Sequence, residues 1–148
     1  MGLAFLLSRT LVGENNKSCP ILWESKKIKR VVKSTLAAEA LSLSEAIDSA
    51  EYIGFIISEI VLRKSNNVIP IECYIDNYSL FENLYSTKSV SEKRLRIDLA
   101  SIKEKIQKGL VSVKWIESCK QISDCLTKRG ANPYPLINVL QRGNVNHL

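Results

Sequence analysis

The sequence predicts an α/β domain in which helices pack on a mixed sheet. Ile69, Ile71, Cys73 and Ile75 alternate with Pro70, Glu72 and Tyr74, the period of two that turns one face of a strand into a core. Leu36, Ala40, Leu43, Ile47 and Ala50 recur at intervals of four and three, the spacing of a helix that buries one stripe. Along the chain such segments follow the order β, β, α, β, α, α, β, α, α, which calls for both kinds of strand neighbour with helices laid on the sheet.

Leu3 to Leu7 form an apolar run, expected as a strand buried on both faces, and Pro20 to Glu24 form a second strand with Ile21 and Trp23 on one side. Gly13 to Lys17 supply the turn of the resulting hairpin. A strand that opens the chain has no lead-in, so a truncated start is expected. Ser34 or Thr35 caps the first helix, which should reach about Leu62, with Gly54 as its weak point. After a polar loop, Lys64 to Asn67, comes the strand ending at Asp76, then a short helix from Tyr78 to Tyr85 carrying Leu80, Phe81 and Leu84. Ser89 and Glu92 have the spacing of a capping box and open a helix striped by Leu95, Leu99, Ile102 and Ile106, which Gly109 stops. Val111, Val113 and Trp115 alternate as a core strand. Ser123 and Asp124 open a short helix to Lys128, closed by Gly130; Asn132 and Pro133 are the cap and first turn of a last helix holding Leu136, Ile137 and Leu140, which Gly143 ends.

The 148 residues fit one domain, 1–148, able to bury roughly two thirds of its unfolded surface. A hydrophobic share of 45% excludes a disordered chain, and a net charge of +6 admits a polyanionic partner. Cys19, Cys73, Cys119 and Cys125 have neither zinc-site spacing nor the density of a disulfide scaffold, which points to reduced thiols in an intracellular protein, Cys73 being a small buried hydrophobe. The apolar start is too short for a membrane span or signal peptide, and Leu6 stands where a myristoylation motif needs Ser or Thr, so neither secretion nor a membrane partner is expected. The absence of a Gly-rich phosphate loop argues against a doubly wound nucleotide-binding domain.

Two basic groups stand out. Lys26, Lys27, Lys29, Arg30 and Lys33 form either a solvated loop or a phosphate-contacting edge, and Lys93, Arg94, Arg96, Lys103, Lys105 and Lys108 give one helix a mostly basic outer surface. Three acids occupy comparable places: Glu39 in the first turns of a helix, Asp76 at a strand end, and Asp124 at a helix start. Converging carboxylates repel unless a cation sits among them, and hard oxygen donors suit Mg²⁺ or Mn²⁺. Two such ions about 4 Å apart can drive phosphodiester hydrolysis. Taken singly, an Asp at a strand end or helix N-terminus is often only a cap. Asp48 and Asp98 are expected as surface charges, His147 lies at the extreme end, and Asn77 beside Asp76 can orient a substrate backbone.

The run Ser34 to Leu41 (Ser, Thr, Leu, Ala, Ala, Glu, Ala, Leu), the segment Tyr74, Ile75, Asp76, Asn77, and the run Gln121 to Lys128 (Gln, Ile, Ser, Asp, Cys, Leu, Thr, Lys) resemble the ribonuclease H domain of copia-type (LTR) retrotransposon Pol polyproteins. Cys19 to Trp23, Lys88 to Val90 and Lys93 to Asp98 are also similar to that family, and the resemblance covers nearly the whole chain. It implies a ribonuclease H-like fold, here lacking its first, central strand. It also implies an endonuclease that hydrolyses the RNA strand of RNA–DNA hybrids during reverse transcription, with Mg²⁺ or Mn²⁺ as cofactor. Of the family's four acids, Glu39, Asp76 and Asp124 match the second, third and fourth, as catalytic residues and metal ligands. The first, an Asp on a strand before the one that Gly2 to Leu7 resemble, has no counterpart, so the chain should be weak or inactive alone and should need the upstream reverse transcriptase segment of a polyprotein. The expected partner, a near-A-form hybrid, is held through phosphates and 2′-hydroxyls, with Lys26, Lys27, Lys29, Arg30, Asn77, Lys93, Arg94 and Arg96 as the contacting residues. The expected location is a cytoplasmic particle or the nucleus. The alternative is a catalytically dead remnant that at most binds nucleic acid or a protein.

Overall fold

The structure, a computed structural model, describes residues 2–7, 18–60, 69–87 and 90–143. The elements are β1 (Gly2–Leu7), β2 (Cys19–Ser25), α1 (Thr35–Ile60), β3 (Ile71–Ile75), α2 (Tyr78–Tyr85), α3 (Lys93–Gln107), β4 (Val111–Trp115), two 3₁₀ turns (Ser118–Lys120 and Ile122–Leu126) and α4 (Tyr134–Arg142). This is a mixed α/β fold consistent with a ribonuclease H-like arrangement. Both strand relationships of the expected mixed sheet occur: β1 pairs antiparallel with β2, and β3 pairs parallel with β4, as two separate two-stranded ladders. The expected turn at Gly13 to Lys17, the loop at Lys64 to Asn67, Lys88, Ser89 and His147 lie outside the described residues.

The chain falls into two compact units, one formed by the residues up to Lys29 together with those from Ile116 on, the other by Arg30–Trp115. In the first unit the β1–β2 register shifts between Phe5 and Leu6, because Phe5 faces Leu22 and Leu6 faces Pro20, leaving Ile21 as the extra residue. Proline has no ladder donor and is tolerated at such irregularities. Ile21 and Trp23 do share a face, but that face is exposed, while Pro20, Leu22 and Glu24 are half-buried. Ile122, Leu136 and Val139 form the small core, with Cys125 and Leu126 against it. The N–H of Ser18 donates to the carbonyl of Gly143 at 2.7 Å, tying the start of β2 to the end of α4. Gly143 has φ +67°, a left-handed cap that glycine adopts without a Cβ penalty.

In the second unit α1 turns Ala37, Ala40, Leu43 and Ile47 onto Ile75 of β3, Leu80 and Leu84 of α2, Leu95, Leu99 and Ile102 of α3, and Val111 and Val113 of β4. Ser34 accepts the N–H of Ala37 at 3.1 Å, the expected cap. Gly54 leaves room rather than marking a break: a Cβ there would meet Ile69 at 3.8 Å, an ordinary contact.

Three expectations need correction. The helix that Ser89 and Glu92 were to open starts at Lys93, with Glu92 itself in the extended cap position and making no side-chain cap bond. The short helix from Ser123 to Lys128 is a 3₁₀ turn, Ile122–Leu126. Ser, Asp and Cys are weak helix formers, and the Cys125 thiol donates instead to the carbonyl of Ile122 at 3.1 Å. Third, the core alternation of β4 stops at Val113, and Trp115 is 42% exposed.

The outer edge of β4 is closed by a side chain. The Tyr85 hydroxyl donates to the carbonyl of Val113 at 2.9 Å and accepts the N–H of the same residue at 3.3 Å. Both backbone groups that a further strand would use at that residue are therefore occupied. Replacing Tyr85 by Phe is expected to destabilise the chain by about 1 kcal/mol in denaturant melts and to speed hydrogen exchange at the Val113 amide; unchanged exchange would show that the edge is protected by something else.

Candidate functional site

Ile75 is buried, and the residue after it turns out of the core at the carboxyl end of β3, where ligands gather in open α/β sheets. Asp76 stands there, half-buried, between two fixed points. Its carbonyl accepts the Trp115 indole N–H at 3.1 Å, and the next residue, Asn77, caps α2 by accepting the N–H of Leu80 on Oδ1 at 3.0 Å. The cap uses only the amide oxygen of Asn77. Glu39 is exposed on α1, one position before Ala40, which is fully buried, so the apolar stripe fixes the direction of the acid beside it. Asp124 lies in the other unit, half-buried in its 3₁₀ turn. Its carbonyl accepts the N–H groups of Thr127 and Lys128, and its Oδ2 lies 2.6 Å from the Lys128 ammonium. Glu39 and Asp76 thus share one unit and Asp124 belongs to the other, and within either unit no three His, Cys, Asp or Glu side chains among the described residues form a metal-holding group.

The basic residues sort into engaged and exposed ones. Arg30 makes a two-pronged contact with Asp98, Nη1 to Oδ1 at 3.4 Å and Nη2 to Oδ2, and that bond raises the guanidinium pKa further. Asp98, expected as a surface charge, is only 14% exposed and anchors the residue that leads the chain into α1. Its place between Leu95 and Leu99 on α3 turns it toward Arg30 rather than water. Along α3 the charges divide by position. Lys103 donates to the carbonyl of Ser86 at 2.6 Å, Lys105 reaches Asp48 at 2.8 Å and Glu51 at 2.9 Å, and Lys108 reaches Glu104 at 2.6 Å. Burial opposes the charge on Lys105, but the bonds to Asp48 and Glu51 outweigh it and its pKa rises. At the other end Lys93, Arg94 and Arg96 are exposed, and no acid lies in the first helical turn. Three cations at the electropositive end of a helix that lacks a side-chain cap bond are locally unfavourable, offset in part by the Glu92 carboxylate at the cap position. Lys26 pairs with Glu24 at 3.1 Å, while Lys27 and Lys29 are exposed.

Trp115 is the residue that the sequence pattern misassigned. It leaves the core to pack edge-on to Tyr78, with ring centroids 5.8 Å apart. Tyr78, Phe81 and Tyr85 line one side of α2 at helical spacing, and with Val113, Lys114 and Trp115 they bound an open groove of about 360 Å³. The signal was present in the sequence, since aromatics at 78, 81 and 85 repeat at intervals of three and four beyond the Leu80 and Leu84 stripe. Lys114 at the rim reaches Glu72 at 2.9 Å, and Tyr74 also donates to Glu72 at 2.8 Å. Cys73 is the inert thiol expected, its pKa pushed up to about 12 by burial.

The chain is similar to the retrovirus-related Pol polyproteins from transposons RE1 and RE2 of Arabidopsis thaliana. It is 29% and 28% identical to them over 113 residues, which cover 74% of this chain. It spans only 7% of the length of either relative, so the similarity concerns one region of a retrotransposon Pol polyprotein. No protein-family model and no solved structure matches the chain. Among the described residues no helix is long and apolar enough to cross a membrane.

Replacing Lys93 or Arg94 by Glu is expected to raise stability by about 0.3–1 kcal/mol at low salt, measured by thermal melts; a loss of stability would mean that these cations have partners. The raised Cys73 pKa means that the unfolded thiol ionises near 9 while the folded one stays protonated to about 12. Stability from this group is therefore complete below pH 9 and lost as pH rises toward 12, by about 1.4 kcal/mol per pH unit. Urea melts of Cys73→Val should show a shallower decline than the parent chain over that window, and identical slopes would contradict the assignment.

Proposed function

We propose that the chain is the ribonuclease H part of a retroelement Pol polyprotein, an endonuclease acting on the RNA strand of RNA–DNA hybrids. The observation that carries this reading is Asp76, a carboxylate at the end of a parallel strand held by Trp115 on one side and the Asn77 cap on the other, in a chain similar to Pol polyproteins. Glu39 and Asp124 supply the second and fourth acids of the set that the resemblance implies. Carboxylate oxygens are hard donors that suit Mg²⁺ or Mn²⁺, and the resemblance implies Glu39, Asp76 and Asp124 as the ligands. When bound, such ions activate water and stabilise the leaving oxygen of a phosphodiester. Donor number is the limiting feature, since within neither unit do three acids among the described residues form a metal-holding group, and the sequence offers no match for the first. An upstream reverse transcriptase segment bearing that Asp would complete the set.

Of the cations named for phosphate contact, Lys27, Lys29, Lys93, Arg94 and Arg96 are exposed, with Lys26 shared with Glu24 and Arg30 serving chiefly as an anchor on Asp98. Neutralising phosphates releases counterions, so hybrid affinity should fall steeply with salt. One observation favours a second reading, that of a binding module without catalysis: the Lys128 ammonium already lies on the Asp124 carboxylate that a metal would need.

The test is cleavage of a labelled RNA–DNA hybrid with Mg²⁺, by the chain alone and by the chain fused behind a strand bearing Asp. The fusion should cleave, the chain alone little or not at all, and Asp76→Asn should lower the fusion's rate by about a hundredfold or more. Equal activity with and without the added strand would refute the need for a fourth acid. Absence of cleavage by both, with salt-sensitive hybrid binding that Arg94→Glu weakens, would favour the binding module.

A further inference from the structure

The groove beside Asp76 has no role in the function proposed so far. Four of its six lining residues are aromatic, and they are four of the chain's ten aromatic residues. Tyr78 is 59% and Trp115 42% exposed, and their edge-on packing at 87° leaves ring surface open to solvent. Phe81 and Tyr85 pack beside them with centroids 5.0 Å apart, and the Tyr85 ring is fixed because its hydroxyl bonds Val113. The Trp115 ring cannot swing freely either, since its N–H is spent on the Asp76 carbonyl. The result is a preorganised, flat-walled cleft whose one cation, Lys114, sits at the rim with half of its side chain exposed.

We propose that this groove stacks an unpaired nucleobase of a strand running past Asp76. A base has a π-face for the rings and polar edges that can stay in water, and stacking on aromatics tolerates any sequence. A base inside an A-form duplex is not available for this, so the occupant is a nucleotide beyond the paired region, an overhang or frayed end. Charge complementarity favours a phosphodiester-linked ligand over a peptide: Lys93, Arg94 and Arg96 are exposed on α3 of the same unit and the chain carries +6, while Lys114 at the mouth is shared with Glu72. The inference rests on the nucleic-acid reading given under Proposed function and extends it to a subsite that would position the strand at the acid.

The test compares a blunt RNA–DNA hybrid with the same hybrid carrying a four-nucleotide single-stranded extension, by anisotropy and by Trp115 emission in a Trp23→Phe background. The extension is expected to tighten binding about tenfold and to quench Trp115. Tyr78→Ala should remove that gain while leaving blunt-hybrid affinity unchanged, and Tyr78→Phe, which keeps a stacking face, should retain most of it. Blunt-hybrid binding without any gain from the extension, or a gain that survives Tyr78→Ala, would overturn the groove assignment and leave the nucleic-acid reading intact. Failure to bind either hybrid would overturn both. Quenching by a proline-rich peptide and not by the extension would assign the groove to a peptide and overturn the proposal.

Discussion

A parallel pair of strands seldom stands exposed, because its crossover connections lay helices over it. In Arg30–Trp115 that requirement is met by α1, α2 and α3, which close on Ile75, Val111 and Val113. Where β3 and β4 end follows from the same burial. Ile75 is the last buried residue of its strand, so the acid after it emerges at the margin of the core, and Trp115, two residues past Val113, the last buried residue of β4, is paired with Ile75. The hydrogen bond from Trp115 to the Asp76 carbonyl joins the two strand ends. Tyr85, reaching back from the last turn of α2, occupies the outer backbone groups of Val113. Sheet pairing, edge protection and the position of the candidate acid are thus one arrangement.

Electrostatics is distributed unevenly over this frame. Asp98 and the acids of α1 take up Arg30 and Lys105, pairs that are partly removed from water and so hold better than fully exposed ones. The cations left outside these pairs on α3 cluster at its first turn. A protein selected for stability alone would place acids there, which gives the placement of Lys93, Arg94 and Arg96 a physical meaning beyond net charge.

Much of the framework was legible in the sequence because it rests on periodicity. The stripes on α1 and α3, the alternation up to Ile75, the span of α2 and the glycine stops at Gly109 and Gly143 all follow from spacing and backbone preference. What escaped depended on tertiary partners. Trp115 continues the alternation of Val111 and Val113 yet turns outward, since an indole with a carbonyl to bond and an aromatic to lean on does not need the core. Asp98 looked like any surface acid until Arg30 was brought to it from 68 residues away. The start of α3 at Lys93 also differs from the expected one, placing Glu92 in the cap position instead of three residues inside the helix, while Ser89 lies outside the described residues.

The positively charged opening of α3, without a side-chain cap bond, also bears on how the chain assembles. A segment with that charge arrangement has little tendency to coil into a helix by itself, and a lone helix of fifteen residues is marginal even with a favourable sequence. Its order must come from docking Leu95, Leu99 and Ile102 against α1 and the strands. During refolding α3 should therefore condense together with the hydrophobic centre and not ahead of it, so that the cluster of Lys93, Arg94 and Arg96 takes shape only once the protein around it is complete.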